Sequence, residues 1–117
     1  MGSLDVINYK NKEIIRLRYA DLSEEEILQF LDNAYKMIVN KQEKCLLLAN
    51  WEQAFVTAKV KKFIDDNVEM TNMKVEKTAV VGVTGVKKIF NSLFAKILKM
   101  PLKMFNTEDE AMNWLVD

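Results

Sequence analysis

Apolar and polar positions along this chain alternate in some stretches and recur every three to four residues in others, and these changes of period mark out its elements. Residues 4–9 (Leu-Asp-Val-Ile-Asn-Tyr) and 13–19 (Glu-Ile-Ile-Arg-Leu-Arg-Tyr) are short, partly alternating and rich in β-branched and aromatic residues, which predicts two strands. Lys10-Asn11-Lys12 between them suits a hairpin turn, with Asn11 able to take a positive φ. In the second run Ile15, Leu17 and Tyr19 share one side and Arg16 and Arg18 the other, as in a strand with a wet face near a sheet edge. Ser23-Glu24-Glu25-Glu26 then opens a helix. Ser23 and Glu26 make a capping box, Leu22 and Ile27 a hydrophobic staple, and the three carboxylates suit the positive end of the helix dipole. Ile27, Leu31, Ala34 and Ile38 follow at helical spacing, and the helix is expected to end near Asn40.

Residues 44–49 form an apolar run after Lys44, the pattern of a strand buried on both faces of a parallel sheet. Asn50 with Gln53 reads as the cap pair of a second helix. Its apolar stripe is Val56, Val60, Phe63 and Ile64, and it ends at Asp66-Asn67 or frays as far as Asn72. Lys77 to Val83 is a further buried strand, leading through Thr84-Gly85 into a third helix over 86–99 that Pro101 terminates. Leu102 to Phe105 is a fifth strand. Thr107-Glu108-Asp109-Glu110 is a second capping box, and its helix turns Ala111, Trp114 and Leu115 inward. The predicted fold class is α/β: one domain over residues 1–117, with a mixed, mostly parallel five-stranded sheet and four helices in the order β-β-α-β-α-β-α-β-α.

Composition narrows the chemistry. The 117 residues hold no histidine and one cysteine, Cys45, so a Ser-His-Asp triad, a Cys-His pair, an intramolecular disulfide and a histidine or multi-cysteine metal site are all excluded. No cofactor motif is present. The N-terminus shows no apolar signal segment and no apolar run approaches a membrane span, so a cytoplasmic protein without a transmembrane segment is expected. Met1-Gly2-Ser3 reads equally well as native sequence or as an expression scar. Seventeen basic residues balance seventeen acidic ones, yet residues 77–107 hold six lysines and no acid, giving the molecule a basic side. Zero net charge and only two arginines argue against nucleic-acid binding.

Two segments carry a resemblance. Lys77-Thr-Ala-Val-Val-Gly-Val-Thr-Gly-Val-Lys-Lys88 and Met104-Phe-Asn-Thr-Glu-Asp-Glu-Ala-Met-Asn-Trp-Leu115 resemble the SpoIIAA-like family of small STAS-like proteins. The order of elements is similar to that of STAS domains, the fold of the bacterial anti-sigma factor antagonists. The resemblance implies a non-enzymatic binding or regulatory module. The best-known STAS switch phosphorylates a serine in an Asp-Ser-x-Gly stretch between the third strand and the second helix. Here that loop reads Ala49-Asn50-Trp51-Glu52-Gln53, and the three serines, Ser3, Ser23 and Ser92, lie elsewhere. Thr57 is expected at least a turn inside the second helix. The serine phosphoswitch is therefore not expected, and a kinase that labels any residue between 49 and 57, detected by peptide mass spectrometry, would overturn this.

Several residues remain candidates for binding. Gly82, Thr84 and Gly85 lie in a strand-to-helix turn whose N–H groups, with Lys87 and Lys88 beyond, could hold a phosphate or carboxylate; the plainer account is a tight turn capped by Thr84. Asn50 and Trp51 follow the third strand, where open α/β sheets gather ligands, although Trp51 equally serves to cover the sheet end. In the third helix the apolar side, including Phe90, Phe94 and Leu98, is wide, and Lys96 lies on the opposite side; core packing is the plainer account and an interaction surface the functional one. The leading expectation is a module that recognises a protein partner or a small anionic or lipid ligand, with peripheral membrane contact and a homodimer both open. The alternative is a small hydrolase or isomerase with Glu52 or Asp109 as general base beside the Gly82–Gly85 turn.

Overall fold

The computed structural model describes residues 2–82 and 99–117. Its strands are β1 (Ser3–Tyr9), β2 (Lys12–Arg18), β3 (Cys45–Asn50), β4 (Val75–Val81) and β5 (Leu102–Phe105). The helices among the described residues are α1 (Glu24–Val39), α2 (Ala58–Asp66), α3 (Val68–Lys74) and α4 (Glu108–Val116). The strands stand side by side in chain order, β1 antiparallel to β2 and every later pair parallel. The predicted mixed, mostly parallel five-stranded sheet is thus borne out. The predicted third helix over 86–99 lies, but for its last residue, outside the described residues.

Local chemistry explains most boundaries. The β1–β2 turn is Lys10-Asn11, both at positive φ, as the mirror-image hairpin turns require. The Ser23 hydroxyl accepts from the Glu26 N–H at 3.2 Å, and Glu26 Oε1 accepts from the Ser23 N–H at 2.9 Å, closing the predicted capping box. Those contacts hold the Glu26 carboxyl below its ordinary pKa. The stripe Ile27, Leu31, Ala34 and Ile38 is buried as the spacing requires.

Other expectations are corrected. Asn50 and Gln53 do not cap α2: Asn50 is the last residue of β3, Gln53 lies in a loop at positive φ, and Thr57 is the cap, its hydroxyl accepting from the Val60 N–H at 3.3 Å. Thr57 therefore precedes the helix and is not a turn inside it. After Asn67 the chain does not fray but starts α3. The Asn67 side-chain amide donates to the Phe63 carbonyl and its own carbonyl accepts from the N–H and hydroxyl of Thr71, which ends one helix and begins the next. β4 begins at Val75, two residues before the expected Lys77. The second capping box is half as expected: Thr107 Oγ1 accepts from the Glu110 N–H, while the return contact to Glu110 Oε1 comes from the Thr107 hydroxyl. Trp114 is only half-buried, its ring 5.6 Å from that of Phe105 and under the Lys77 ammonium. β2 lies next to the edge strand β1, near the sheet edge as expected.

Strand alternation sorts the interior into two cores. Ile15, Leu17, Tyr19, Leu47, Ala49 and Val80 pack against α1 and α2. Ile14, Leu46, Leu48, Ala79 and Val81 pack against Ala111 and Leu115 of α4 on the opposite face. All six residues of β3 are buried, as its apolar run predicted. Leu48 is fully buried in the α4 core, so Leu48→Ala is expected to cost about 2–5 kcal/mol, read as a lower urea midpoint at unchanged slope. Val39→Ala, at a position 46% exposed, is expected to stay within about 0.5 kcal/mol.

Candidate functional site

At the carboxyl ends of the central strands, Arg16, Arg18, Asn50 and Glu108 are brought together. Arg18 ends β2 and lies beside Asn50, which ends β3, and Asn50 in turn lies beside Val81 of β4. Two further backbone bonds knit the strand ends together, from the Tyr19 N–H to the Asn50 carbonyl at 3.1 Å and from the Trp51 N–H to the Val81 carbonyl at 2.8 Å. Arg16, Arg18, Leu46, Leu48 and Asn50 share the face that α4 covers. Asn50 is therefore a polar residue ending an otherwise apolar row, and Glu108 at the start of α4 comes down on it.

Glu108 collects four donors. Arg18 donates through Nε and Nη2 at 3.1 and 2.8 Å, Arg16 through Nη1 at 3.3 Å, and Asn50 through Nδ2 at 2.7 Å. The paired Arg18 contact is bidentate, the strong geometry for guanidinium and carboxylate. Arg18 hydrogen bonding, with Asn50 and both arginine charges, holds the Glu108 carboxyl below its ordinary value against the opposing effect of burial. Arg16 also reaches Asp5 of β1 at 3.1 Å. The face of β2 expected to be wet thus carries two partly exposed arginines, each tied to an acidic partner.

The loop after β3 is built on the same asparagine. Asn50 Oδ1 accepts from the Glu52 N–H at 2.9 Å, which turns the chain sharply out of the sheet. Trp51 is 2% exposed and stacks on Tyr19, ring centroids 3.9 Å apart at 14°; burial pushes the Tyr19 hydroxyl well above its ordinary pKa. The Asp21 N–H donates to the Gln53 carbonyl at 3.3 Å, tying the loop to the segment after β2. Gly82 has φ +81°, and a Cβ there would lie 2.6 Å from the Glu52 backbone nitrogen. Only glycine lets the two segments approach so closely. Between them opens a cleft of about 320 Å³, lined by Trp51, Glu52, Gln53, Ala54, Phe55 and Gly82. Phe55 is 78% exposed while Ala54 beside it is buried.

Asn50, Trp51 and Gly82 are thus brought together, though Trp51 places its ring in the core and Asn50 is buried within the hydrogen-bond network. Thr84, Gly85, Lys87 and Lys88, and the interaction-surface residues Phe90, Phe94, Lys96 and Leu98, lie outside the described residues. Of the two candidate bases, Glu52 lies beside Gly82 and receives a 3.4 Å contact from Asn50 Nδ2, and Asp109 is an exposed first-turn residue of α4. Sequence reasoning missed Glu108, Arg16, Arg18 and Phe55 as residues of this region. The two arginines and the acidic first turn of the last helix were visible, but a pairing across 90 positions has no local signature. A larger groove of about 710 Å³ lies at the opposite end of the sheet. It mixes both charge signs, its Lys41 is paired with Glu13 at 2.9 Å, and burial raises the pKa of its Cys45 thiol, so it presents no focused chemistry.

Comparison with known proteins places this geometry. The SpoIIAA-like family model matches residues 14–116. No curated protein matches the chain. Among solved structures, an uncharacterised protein with a SpoIIAA-like fold from Shewanella loihica aligns with a TM-score of 0.71 at 10% identity, covering 97% of this chain and 93% of its own. An anti-sigma-factor antagonist (STAS) domain protein from Planctomyces limnophilus aligns with a TM-score of 0.65 at 13% identity, covering 97% and 98%.

Glu108→Gln is expected to cost about 1 kcal/mol or more at neutral pH, because the arginines lose their ionised partner. The Glu108 pKa is lowered on folding, so its contribution is complete above the unfolded value of about 4.3 and is lost as pH falls through the folded value. Urea titrations at several pH values should show the wild type and Glu108→Gln differing most near neutrality and converging in acid.

Proposed function

The chain belongs to the SpoIIAA-like family, and from that premise we propose that it is a non-enzymatic regulatory module that docks a protein partner through the 51–57 loop. The exposed Phe55 carries this reading. It stands 78% exposed between two anchored positions, the buried Trp51–Tyr19 stack on one side and the Thr57 cap of α2 on the other. A large apolar ring held on a fixed stem beside a concave cleft is the usual form of an interface anchor. An aromatic ring loses little conformational entropy when a partner covers it.

The chemistry nearby favours a protein over a small anion. At this end of the sheet Arg16 and Arg18 are both engaged by Glu108, so neither arginine is left to recognise an added anion. The carboxylate-base enzyme has less support, since both of its candidate bases, Glu52 and Asp109, are exposed, where a proton-transfer group is usually tuned toward neutrality by burial. No described helix is long and apolar enough to cross a membrane. We place the protein in the cytoplasm, where its single buried cysteine stays reduced.

Native mass spectrometry of the full chain purified from its own cells tests the reading. A protein complex is expected for the wild type and for Met73→Ser, a control at another exposed apolar residue, on α3. Phe55→Ser is expected to weaken it about 30-fold or more, the effect of losing a hot-spot aromatic. A small-molecule adduct retained by Phe55→Ser, with no protein bound to the wild type, would overturn the proposal.

A further inference from the structure

We infer that β1 is a pairing edge and that its mate is β1 of a second copy of this chain. The sheet ends in two edge strands, β1 and β5, and they are built differently. β5 has four residues, follows Pro101 and carries Lys103; shortness, proline and lysine are the usual means of keeping an edge from pairing. β1 has none of them. It runs for seven residues without proline or lysine, and its one-to-one register with β2 contains no bulge to twist it away. Among the described residues no backbone hydrogen bond joins β1 to anything but β2, so its outward row of N–H and C=O groups is open to another strand.

The residues of β1 identify that strand. Seven residues have a middle one, Val6, and a two-fold axis through it uses the whole strand. Ser3 then lies opposite Tyr9, Leu4 opposite Asn8, Asp5 opposite Ile7, and Val6 opposite the second copy's Val6. Asp5 is the only charge on β1 and is already paired with Arg16 of β2. In this register it faces an isoleucine and not a second carboxylate, so no like charges meet. Val6 is 48% exposed and shares the face of its β2 neighbour Ile15, the α1 side. The axis brings two such valines together, the cross-strand β-branched pair that stabilises antiparallel sheet, and covers both. The product is a closed, isologous dimer with one continuous ten-stranded sheet. It uses no residue of the 51–57 loop and stands independently of the proposed docking there.

Sedimentation equilibrium of the full chain from about 1 to about 200 µM tests this, the range appropriate to a small interface. The average mass is expected to rise from one chain toward two. Val6→Lys, which sets two ammonium groups opposite each other, is expected to weaken association at least about 10-fold, with far-UV circular dichroism unchanged. The milder variant Val6→Cys is expected to form a covalent dimer under gentle oxidation faster than Val39→Cys, which is equally exposed but lies on α1. A wild type that stays monomeric throughout the range overturns the inference. So does a dimer that ignores Val6→Lys, or a Val6→Cys variant that links no faster than Val39→Cys.

Discussion

The central strand sends Cys45, Leu47 and Ala49 toward α1 and α2 and Leu46, Leu48 and Asn50 toward α4, so it has no face to leave in water. A strand of that kind cannot exist without helices on both sides of its sheet. α1 and the α2–α3 pair return the chain to form the parallel neighbours of β3, and α4 closes the remaining face. The two cores are then set by alternation, with Ile14 and Ile15 separated by the thickness of the sheet although adjacent in sequence.

That arrangement has an electrostatic consequence at the ends of the strands. Packing α4 on the second face also partly covers the arginine row of β2, and a partly buried guanidinium is favoured by an anion close by. Glu108 supplies it from the first turn of α4, where the helix dipole already favours a carboxylate. Asn50 completes the contact and at the same time turns the chain into the 51–57 loop. One buried amide thereby couples the docking of α4 to the shape of the loop that carries Phe55.

Much of the fold was legible locally. The Ser23 capping box, the Lys10-Asn11 turn, the stripe on α1 and the doubly buried β3 all depend on residues within a few positions of one another. The errors share a cause. Asn50 and Gln53 look like a helix cap because an asparagine before a polar segment commonly is one, but the side chain of Asn50 is taken by Glu108 and by the Glu52 N–H. The two arginines on one face of β2 suggested water alone, while the carboxylate that pairs with them lies some 90 residues away. The candidate site divides in the same way. Gly82 was recognisable as a turn glycine, whereas its close approach to Glu52 was not.

Period, caps and composition are short-range or global properties of the chain, and from them follow the five strands in their order, the class of sheet and the reaction chemistries excluded by a missing histidine and a single cysteine. The sequence also carried the family resemblance in segments 77–88 and 104–115, which the SpoIIAA-like match over 14–116 bears out. Which strands are edges, which carboxylate answers the arginines, and that Trp51 turns into the core while Phe55 turns out emerge only in the packed chain. Those outcomes depend on which surfaces meet after the helices pack, and residues distant in sequence compete for the same space and the same charge.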